Sequence, residues 1–355
     1  MQRMVLILAV IALVTVSLGV GALSAHWPFW QRAWAWRAAP EGWPTTIAGA
    51  SHVLHGAASA QALDLHDDPG IAGVAATAST HALLHVHRDG RVEAWFAPGF
   101  DLHSPVDGRG LVPVLLLPLF AQLSGEHAGL LDKPVAAWLP QWKEDRRGLI
   151  TPRQLFWQLS GLPARAFNPL NPFSARAQLA SGPDFGRAVA RWQPDYPPAT
   201  HFEESPVNAQ LLALVVTGID RAPLRDIVQK RLWSRVAGDD ALAMLDHRRG
   251  EMAAHCCFTA SLADWLRLGL LLAADGRSAS GGAALWEPGF LSELVTASPV
   301  HPDYGLGFHL QSGPQGPLLT AASAGRQLWI APQTGAALLW VGEGAPPPGL
   351  SQLLR

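Results

Sequence analysis

The chain has 355 residues, of which 49% are hydrophobic and 15% are charged, a composition typical of folded globular proteins. Its formal net charge is -2, and its basic residues are dispersed, without a run that would neutralise several phosphates. These values exclude a disordered chain and argue against a nucleic-acid partner.

The N-terminal segment is apolar over the thickness of a bilayer. Residues 4–23 carry no charge, and a helix of this length spans about 30 Å. Arg3 precedes the segment, so the positive-inside rule predicts a cytoplasmic N-terminus and an extracytoplasmic main domain, which is periplasmic in a Gram-negative cell. We predict a single-pass membrane anchor over residues 1–25. The alternative is a cleaved signal peptide, with small residues such as Val20 and Ala22 at the processing site.

The stretch after the anchor has little periodicity. Residues 26–75 are rich in Ala, His, Gly and Pro, which predicts a connecting segment with one short helix. The main domain is predicted over residues 76–345, and residues 346–355 are predicted to form a tail.

The main domain begins with a hairpin pattern. Two apolar runs flank Asp89 and Gly90, a dipeptide that favours tight hairpin turns. We therefore predict strands near residues 81–87 and 91–97.

The middle and the end of the domain differ in their pattern of apolar residues. Residues 108–275 carry helix-type patterns such as TPRQLFWQL, VNAQLLALVVTGI and SLADWLRLGLLLAA. Beyond Pro299 the chain has short segments, namely YGLGFHL, RQLWIAP and GAALLWVGE, separated by Gly and Pro. This order predicts an α+β fold, in which both chain ends build an antiparallel sheet and the helical region is inserted between them.

The two cysteines, Cys256 and Cys257, are adjacent in sequence. Adjacent cysteines rarely close a ring, so we expect no disulfide and two small buried apolar residues.

Several stretches together resemble the serine beta-lactamase-like hydrolases, the group that holds class C beta-lactamases, penicillin-binding proteins, esterases and 6-aminohexanoate-dimer hydrolase. The stretches cover about residues 80–342 and read LLHVHRDGRVEAWFAPGF, GLLDKPVAAWLPQW, DRRGLITPRQLFWQLSGL, PPATHFEES, QKRLWSRV, CCFTASLADWLRLG, DYGLGFHL and GRQLWIAP. The resemblance implies a beta-lactamase/transpeptidase-like fold and a ligand of peptide, amide, ester or cell-wall-like type.

The nucleophile and the base of such enzymes form a Ser-x-x-Lys pattern on one helical turn. By resemblance this pattern falls on GRGLVPVLLLPLF, where Gly110 stands at the serine position and Pro113 at the lysine position. The sequence contains no Ser-x-x-Lys anywhere. Pro118 lacks an amide proton, so we also expect a kinked or shortened helix here.

The other two catalytic elements are also changed. The Tyr-x-Asn pattern belongs by resemblance within HFEESPVNAQLL, which places Glu204 at the tyrosine position and Pro206 at the asparagine position. The Lys-Thr-Gly or His-x-Gly pattern belongs within TAASAGRQLWIAP, where Ser323-Ala324-Gly325 is the nearest match. We therefore predict a catalytically degenerate member that works as a non-catalytic binding or regulatory domain.

Two other kinds of chemistry remain as alternatives. A serine hydrolase with a relocated nucleophile would use Ser104 or Ser323. A metal site would use His85 and His87, which alternate along a strand, together with Asp89. Asp89 is better explained as a turn residue, so we expect no metal and no cofactor. The sequence identifies neither a ligand nor a protein partner.

Overall fold

The structure is a computed structural model, and it describes residues 11–17, 19–21, 29–31, 51–57, 63–66, 69–75, 79–166, 171, 173–277, 283–313 and 315–354. Its strands are β1 Ser51–Leu54, β2 Asp64–His66, β3 Thr80–Val86, β4 Arg91–Phe96, β5 Pro105–Asp107, β6 Ala241–Met244, β7 Phe258–Ser261, β8 His309–Gly313, β9 Gly316–Ser323, β10 Arg326–Ala331 and β11 Ala336–Gly342.

The helices lie mainly between β5 and β8. They are α1 Pro69–Ala75, α2 Leu116–Glu126, α3 Pro152–Phe156, α4 Ala175–Ser181, α5 Phe185–Ala190, α6 Pro206–Asp220, α7 Leu224–Val228, α8 Ser234–Val236, α9 Leu262–Ala273 and α10 Phe290–Val295. Short 3₁₀ segments cover Arg109–Leu115, Leu130–Asp132, Val135–Ala137, Pro140–Trp142, Arg146–Leu149 and Leu350–Leu353, and a π-helical segment covers Gln229–Trp233.

The larger sheet joins the two ends of the domain. Its strand order is β2-β4-β3-β11-β10-β9-β8, and every neighbouring pair except β2 and β4 is antiparallel. The β3–β4 hairpin turns at Gly90, whose φ of 88° is a left-handed conformation that glycine adopts without steric cost. The predicted α+β fold, with early and late strands in one sheet and helices between them, is confirmed.

The stretch 26–75 is more than the connecting segment that its composition predicts. In addition to α1 it supplies β1, which pairs with β6 in a smaller sheet of order β1-β6-β7-β5, and β2, which pairs with β4 in the larger one. Both strands are short and lie at a sheet edge, and β2 is exposed along its whole length. Such strands leave little alternation of apolar and polar residues to detect.

The helix that follows Gly110 is shortened, as its prolines predict. The chain runs through a 3₁₀ segment that contains Pro113, and α2 begins only at Leu116. Pro118 therefore lies in the first turn of α2, where a backbone N–H has no intrahelical partner to lose. The 3₁₀ segment packs against β9, and this contact forms one wall of the candidate site.

Cys256 and Cys257 are joined by a disulfide bond, which contradicts the expectation of two unpaired cysteines. Cys257 has a φ of 67°, and this left-handed backbone conformation lets two neighbouring side chains meet. Both residues are buried, as expected for small apolar groups.

The predicted anchor falls only partly within the described residues. Residues 11–17 and 19–21 are helical, and their large side chains such as Ile11, Leu13 and Val16 are exposed, whereas residues 4–10, 18, 22 and 23 lie outside the described part. Over the residues that the structure describes, no helix has the length and apolar character needed to cross a membrane.

Candidate functional site

A cavity of about 260 Å³ brings together most of the residues that the sequence singled out. Gly110, Pro113, Glu204 and Pro206 all line it. They come from two parts of the chain, the 3₁₀ segment before α2 and the start of α6 with the loop before it. Strand β9 closes the cavity with residues 320–322.

Gly110 is in direct contact with Ser323 at the end of β9. The Gly110 amide N–H donates a hydrogen bond to Ser323 Oγ at 3.0 Å. A Cβ atom added at Gly110 would lie 2.9 Å from that oxygen and 3.0 Å from Ser323 Cβ, closer than ordinary van der Waals contact. A side chain at position 110 and the Ser323 side chain therefore compete for the same space.

Glu204 forms an ion pair across the cavity with a histidine of β8. His309 Nε2 lies 3.3 Å from Glu204 Oε1. The hydrogen bond that His309 donates to Glu204 raises the pKa of His309 above its ordinary value. The Glu204 carboxylate is thus matched by a local cation whenever the imidazole is protonated.

A phenol does line the cavity, but it comes from a different segment. Tyr304 is buried, and its ring meets the His309 ring edge-on with centroids 4.8 Å apart. Burial raises the pKa of Tyr304, and the nearby Glu204 charge raises it further, so the phenol stays protonated at neutral pH.

A buried polar network supports the loop that carries Glu204. Gln158 Oε1 accepts hydrogen bonds from the Ser205 amide at 3.0 Å and from Asn208 Nδ2 at 2.6 Å. Ser160 Oγ donates to Asn208 Oδ1 at 2.6 Å. These bonds fix the start of α6 against the segment that follows α3, so this wall of the cavity is held by hydrogen bonds as well as by packing.

The inner part of the cavity holds a cation and a neutral histidine. Arg176 and His255 both line the cavity. Burial, together with the Arg176 charge, lowers the pKa of His255 to about 3, so its imidazole is neutral at pH 7. Burial also lowers the pKa of Arg176 to about 10, which leaves its guanidinium charged.

A sequence model of the beta-lactamase family matches residues 119–352, which is more than half of the chain. The chain belongs to the beta-lactamase family. A sequence comparison with curated proteins finds no match.

Solved structures of the family share the fold of this member. A putative 6-aminohexanoate-dimer hydrolase from Bacillus anthracis is 16% identical, with a TM-score of 0.69 over 85% of this chain and 87% of that one. A penicillin-binding protein homolog from Caulobacter crescentus is 15% identical, with a TM-score of 0.60 over 83% of this chain and 98% of that one. A D-stereospecific amidohydrolase from Streptomyces sp. is 17% identical, with a TM-score of 0.57 over 80% and 95%.

Three of the singled-out residues in this beta-lactamase family member do not line the cavity, namely Ser323, which contacts Gly110 as described above, Gly325 and Ser104. Gly325 has a φ of 71° in the turn between β9 and β10, and a Cβ there would lie 2.3 Å from the Gly342 carbonyl oxygen. Ser104 forms a local turn, in which its Oγ donates to Asp101 Oδ1 at 3.0 Å and accepts from the Asp101 amide at 2.8 Å. Gly325 and Ser104 both have structural explanations.

The histidines of β3 form a cluster whose third member is not the one that the sequence pattern suggested. Asp89 accepts a hydrogen bond from the Arg91 amide and shapes the hairpin turn, as expected. Glu93 lies instead across the strand pair, 3.3 Å from His85 Nδ1 and 3.1 Å from His87 Nε2. These three side chains have the spacing of a metal site, but Arg91 Nη2 lies 3.3 Å from both Glu93 and His87. Arg91 therefore competes with a metal ion for two of these acceptors, Glu93 Oε1 and His87 Nε2.

Sequence reasoning missed four titratable residues of the cavity, Arg176, His255, Tyr304 and His309. Tyr304 and His309 lie in DYGLGFHL, a stretch that carried the family resemblance, so a signal for their position was present. Arg176 and His255 carry no such signal, because they reach the cavity from α4 and from the loop before β7 and fit no motif.

Proposed function

We propose that this protein is a membrane-tethered, non-catalytic binding or regulatory domain of the beta-lactamase family. The observation that carries the proposal is the hydrogen bond from the Gly110 amide to Ser323 Oγ. Acyl transfer needs a nucleophilic oxygen and hydrogen-bond donors for the developing oxyanion. At this wall of the cavity the nucleophile position has no side chain, and its amide N–H already has an acceptor.

The base and proton-relay positions support the same proposal. Pro113 has no group that could take a proton, and Pro206 replaces the second member of the Tyr-x-Asn pattern. Glu204 brings a negative charge that is paired with His309. Because catalytic residues of this kind act as a unit, the loss of several of them removes the acylation mechanism rather than weakening it.

Covalent labelling tests the proposal. We expect no adduct with a beta-lactam or fluorophosphonate probe by intact mass spectrometry. We also expect no turnover of nitrocefin or p-nitrophenyl esters above a heat-denatured control. Stoichiometric labelling that disappears in Ser323→Ala or Ser104→Ala would overturn the proposal and favour a relocated nucleophile.

Restoring the lost residues gives a positive control. Gly110→Ser, Pro113→Lys and Glu204→Tyr together replace the nucleophile, the base and the phenol. The close approach of Ser323 to Gly110 means that Ser323→Gly is needed as a fourth change to make room for the new side chain. Labelling of the fourfold variant but not of the parent chain would support the loss of catalysis at these positions.

The competing function is a hydrolase with a relocated nucleophile, and Ser323 is the residue that favours it. Its Oγ lies beside the nucleophile position, 3.0 Å from the Gly110 nitrogen. Activation would require a base within hydrogen-bonding distance. No lysine or histidine hydrogen-bonds to Ser323 over the described part of the chain, and the neighbouring Arg109 instead donates to the Ala324 carbonyl at 2.9 Å.

Membrane tethering rests on the uncharged segment of residues 4–23, which is preceded by Arg3. A reporter fused after Arg355 should lie outside the cytoplasm, and the fusion should stay with membranes after a salt wash. Recovery of a soluble form that begins near Leu23 would indicate a cleaved signal peptide instead.

A further inference from the structure

Arg176 differs from every other buried or half-buried arginine that the structure describes. Each of the others donates hydrogen bonds to carboxylates or backbone carbonyls, as seen for Arg109, Arg147, Arg153, Arg225, Arg231, Arg267 and Arg326. Over the described residues no group accepts a hydrogen bond from Arg176 or forms an ion pair with it, and its Nη1 atom is buried. A buried cation without a partner is costly, so one that lines a cavity points to a ligand.

The neighbours of Arg176 do not supply a counter-charge. His255 Nδ1 lies 2.9 Å from Gln210 Oε1, an oxygen that also accepts from the Ala254 amide, while Gln210 Nε2 donates to the Met252 carbonyl. The Gln210 amide is therefore oriented by its own bonds, and His255 is the neutral tautomer with its proton on Nδ1. Glu204, the carboxylate that lines the same cavity, is engaged by His309.

We propose that this cavity binds a small monocarboxylate, with its carboxylate group on the Arg176 guanidinium. This inference rests on the proposed binding function and names the class of ligand. A guanidinium presents two parallel N–H donors that match a planar carboxylate. One unmatched positive charge suits a monoanion better than a doubly charged phosphate.

The size and the walls of the cavity define the rest of the ligand. A volume of about 260 Å³ holds roughly eight or nine water-sized atoms. Pro113, Val114, Phe156, Ala209 and Leu212 give the cavity apolar walls. The ligand is therefore a carboxylate attached to a short apolar body, such as a chain of four or five carbon atoms.

The experiment compares pentanoate with its uncharged counterpart pentanamide on the purified full chain. Pentanoate should give saturable ligand-observed NMR signals and raise the Tm by roughly 3–5 °C at a hundredfold excess over its Kd. Pentanamide and inorganic phosphate should do neither. An equal response to pentanamide, an absent response to pentanoate, or a response to phosphate alone would overturn the proposal.

Arg176→Gln and Arg191→Gln form a matched pair of variants, because Arg191 is an exposed arginine on the C-terminal side of α5. Arg176→Gln should abolish the pentanoate response, and Arg191→Gln should keep it. Without ligand, Arg176→Gln should be at least as stable as the parent chain, since the change removes an unpaired buried charge. A large loss of Tm in ligand-free Arg176→Gln, or a pentanoate response that survives in it, would show that Arg176 is structural.

The two proposals fail in different ways. Pentanoate contains no bond that the enzymes of this family cleave, so its binding reports on Arg176 alone. Covalent labelling by a fluorophosphonate would overturn the non-catalytic function and leave the Arg176 site untouched. The absence of a pentanoate response would rule out the proposed carboxylate site and would not affect the labelling result.

Discussion

Two cavities of this protein are each lined by one half-buried arginine, and these two arginines differ in whether the fold supplies them with partners. Arg231 lines a cavity of about 730 Å³, where its Nη1 lies 2.6 Å from Glu126 and its Nε and Nη2 donate to both oxygens of Asp220. Arg176 lines the cavity of about 260 Å³ and has no such partner over the described residues. In the larger cavity the half-buried Arg231 is therefore matched by carboxylates of the fold. The smaller cavity keeps an unmatched charge, which is the property expected of a binding site.

The largest loss of stability is expected for a substitution of Arg231, whose charge is paired with Asp220 and Glu126. Arg231→Met would leave Asp220 and Glu126 without their common donor, and Asp220 is only 17% exposed. We expect a loss of about 2–3 kcal/mol in the free energy of unfolding, below the range for fully buried pairs because Glu126 is 49% exposed. Urea unfolding monitored by tryptophan fluorescence measures the change.

Arg235→Met is the control for this prediction, because Arg235 lines the same cavity but is exposed. It should change the free energy of unfolding by less than about 0.5 kcal/mol. Equal effects of the two substitutions would mean that Arg231 contributes only its aliphatic packing, and the contrast between the two cavities would lose its basis.

The second prediction concerns the wall of the smaller cavity. Gly110→Ala places a Cβ 2.9 Å from Ser323 Oγ, so we expect a loss of about 1–2 kcal/mol from overpacking. Ser323→Gly removes the opposing atoms, so the double variant should lose less stability than the sum of the two single changes. The coupling energy from this cycle measures how tightly the Ser323 side chain packs against Gly110.

Gly125→Ala provides the control for overpacking, because Gly125 lies within α2 and a Cβ there would meet no atom within 4 Å. This change should stabilise the protein by up to about 1 kcal/mol through helix propensity. If Gly110→Ala were equally harmless, Ser323 would have to move aside without cost in stability, and a side chain at position 110 would be sterically permitted.

The fold was more accessible from the sequence than the site was. The β3–β4 hairpin is encoded locally by Asp89 and Gly90, and the shortened α2 by Pro118, so each could be predicted from its own segment. The weakly patterned strands β1 and β2 are defined by their partners, and reading the sequence alone did not find them. The residues of the cavity show the same contrast. Gly110 and Glu204 could be placed there because each lies in a stretch that resembles a family motif.

Arg176 and His255 belong to no sequence motif. Arg176 is of interest because the folded chain, over the residues that the structure describes, places no acidic partner beside it. The absence of an acid beside Arg176 is a three-dimensional property, since it requires every neighbouring element to be in place. The ring of Cys256 and Cys257 was missed for a related reason. The left-handed backbone conformation at Cys257 that accompanies the disulfide bond cannot be predicted from its residue type.

The smallest change in stability is expected for the Glu204–His309 ion pair of the smaller cavity. Glu204 raises the pKa of His309, so this pair stabilises the folded protein fully below the unfolded histidine pKa of about 6.5, and the contribution is lost as the pH rises through the higher folded pKa. The side chains are 39% and 58% exposed, which limits the effect to about 0.5 kcal/mol. Glu204→Gln should therefore lower the urea midpoint at pH 5.5 and leave it nearly unchanged at pH 9. In a His309→Gln background the same substitution should show no dependence on pH. A midpoint difference that is the same at both pH values would mean that Glu204 is not held by His309.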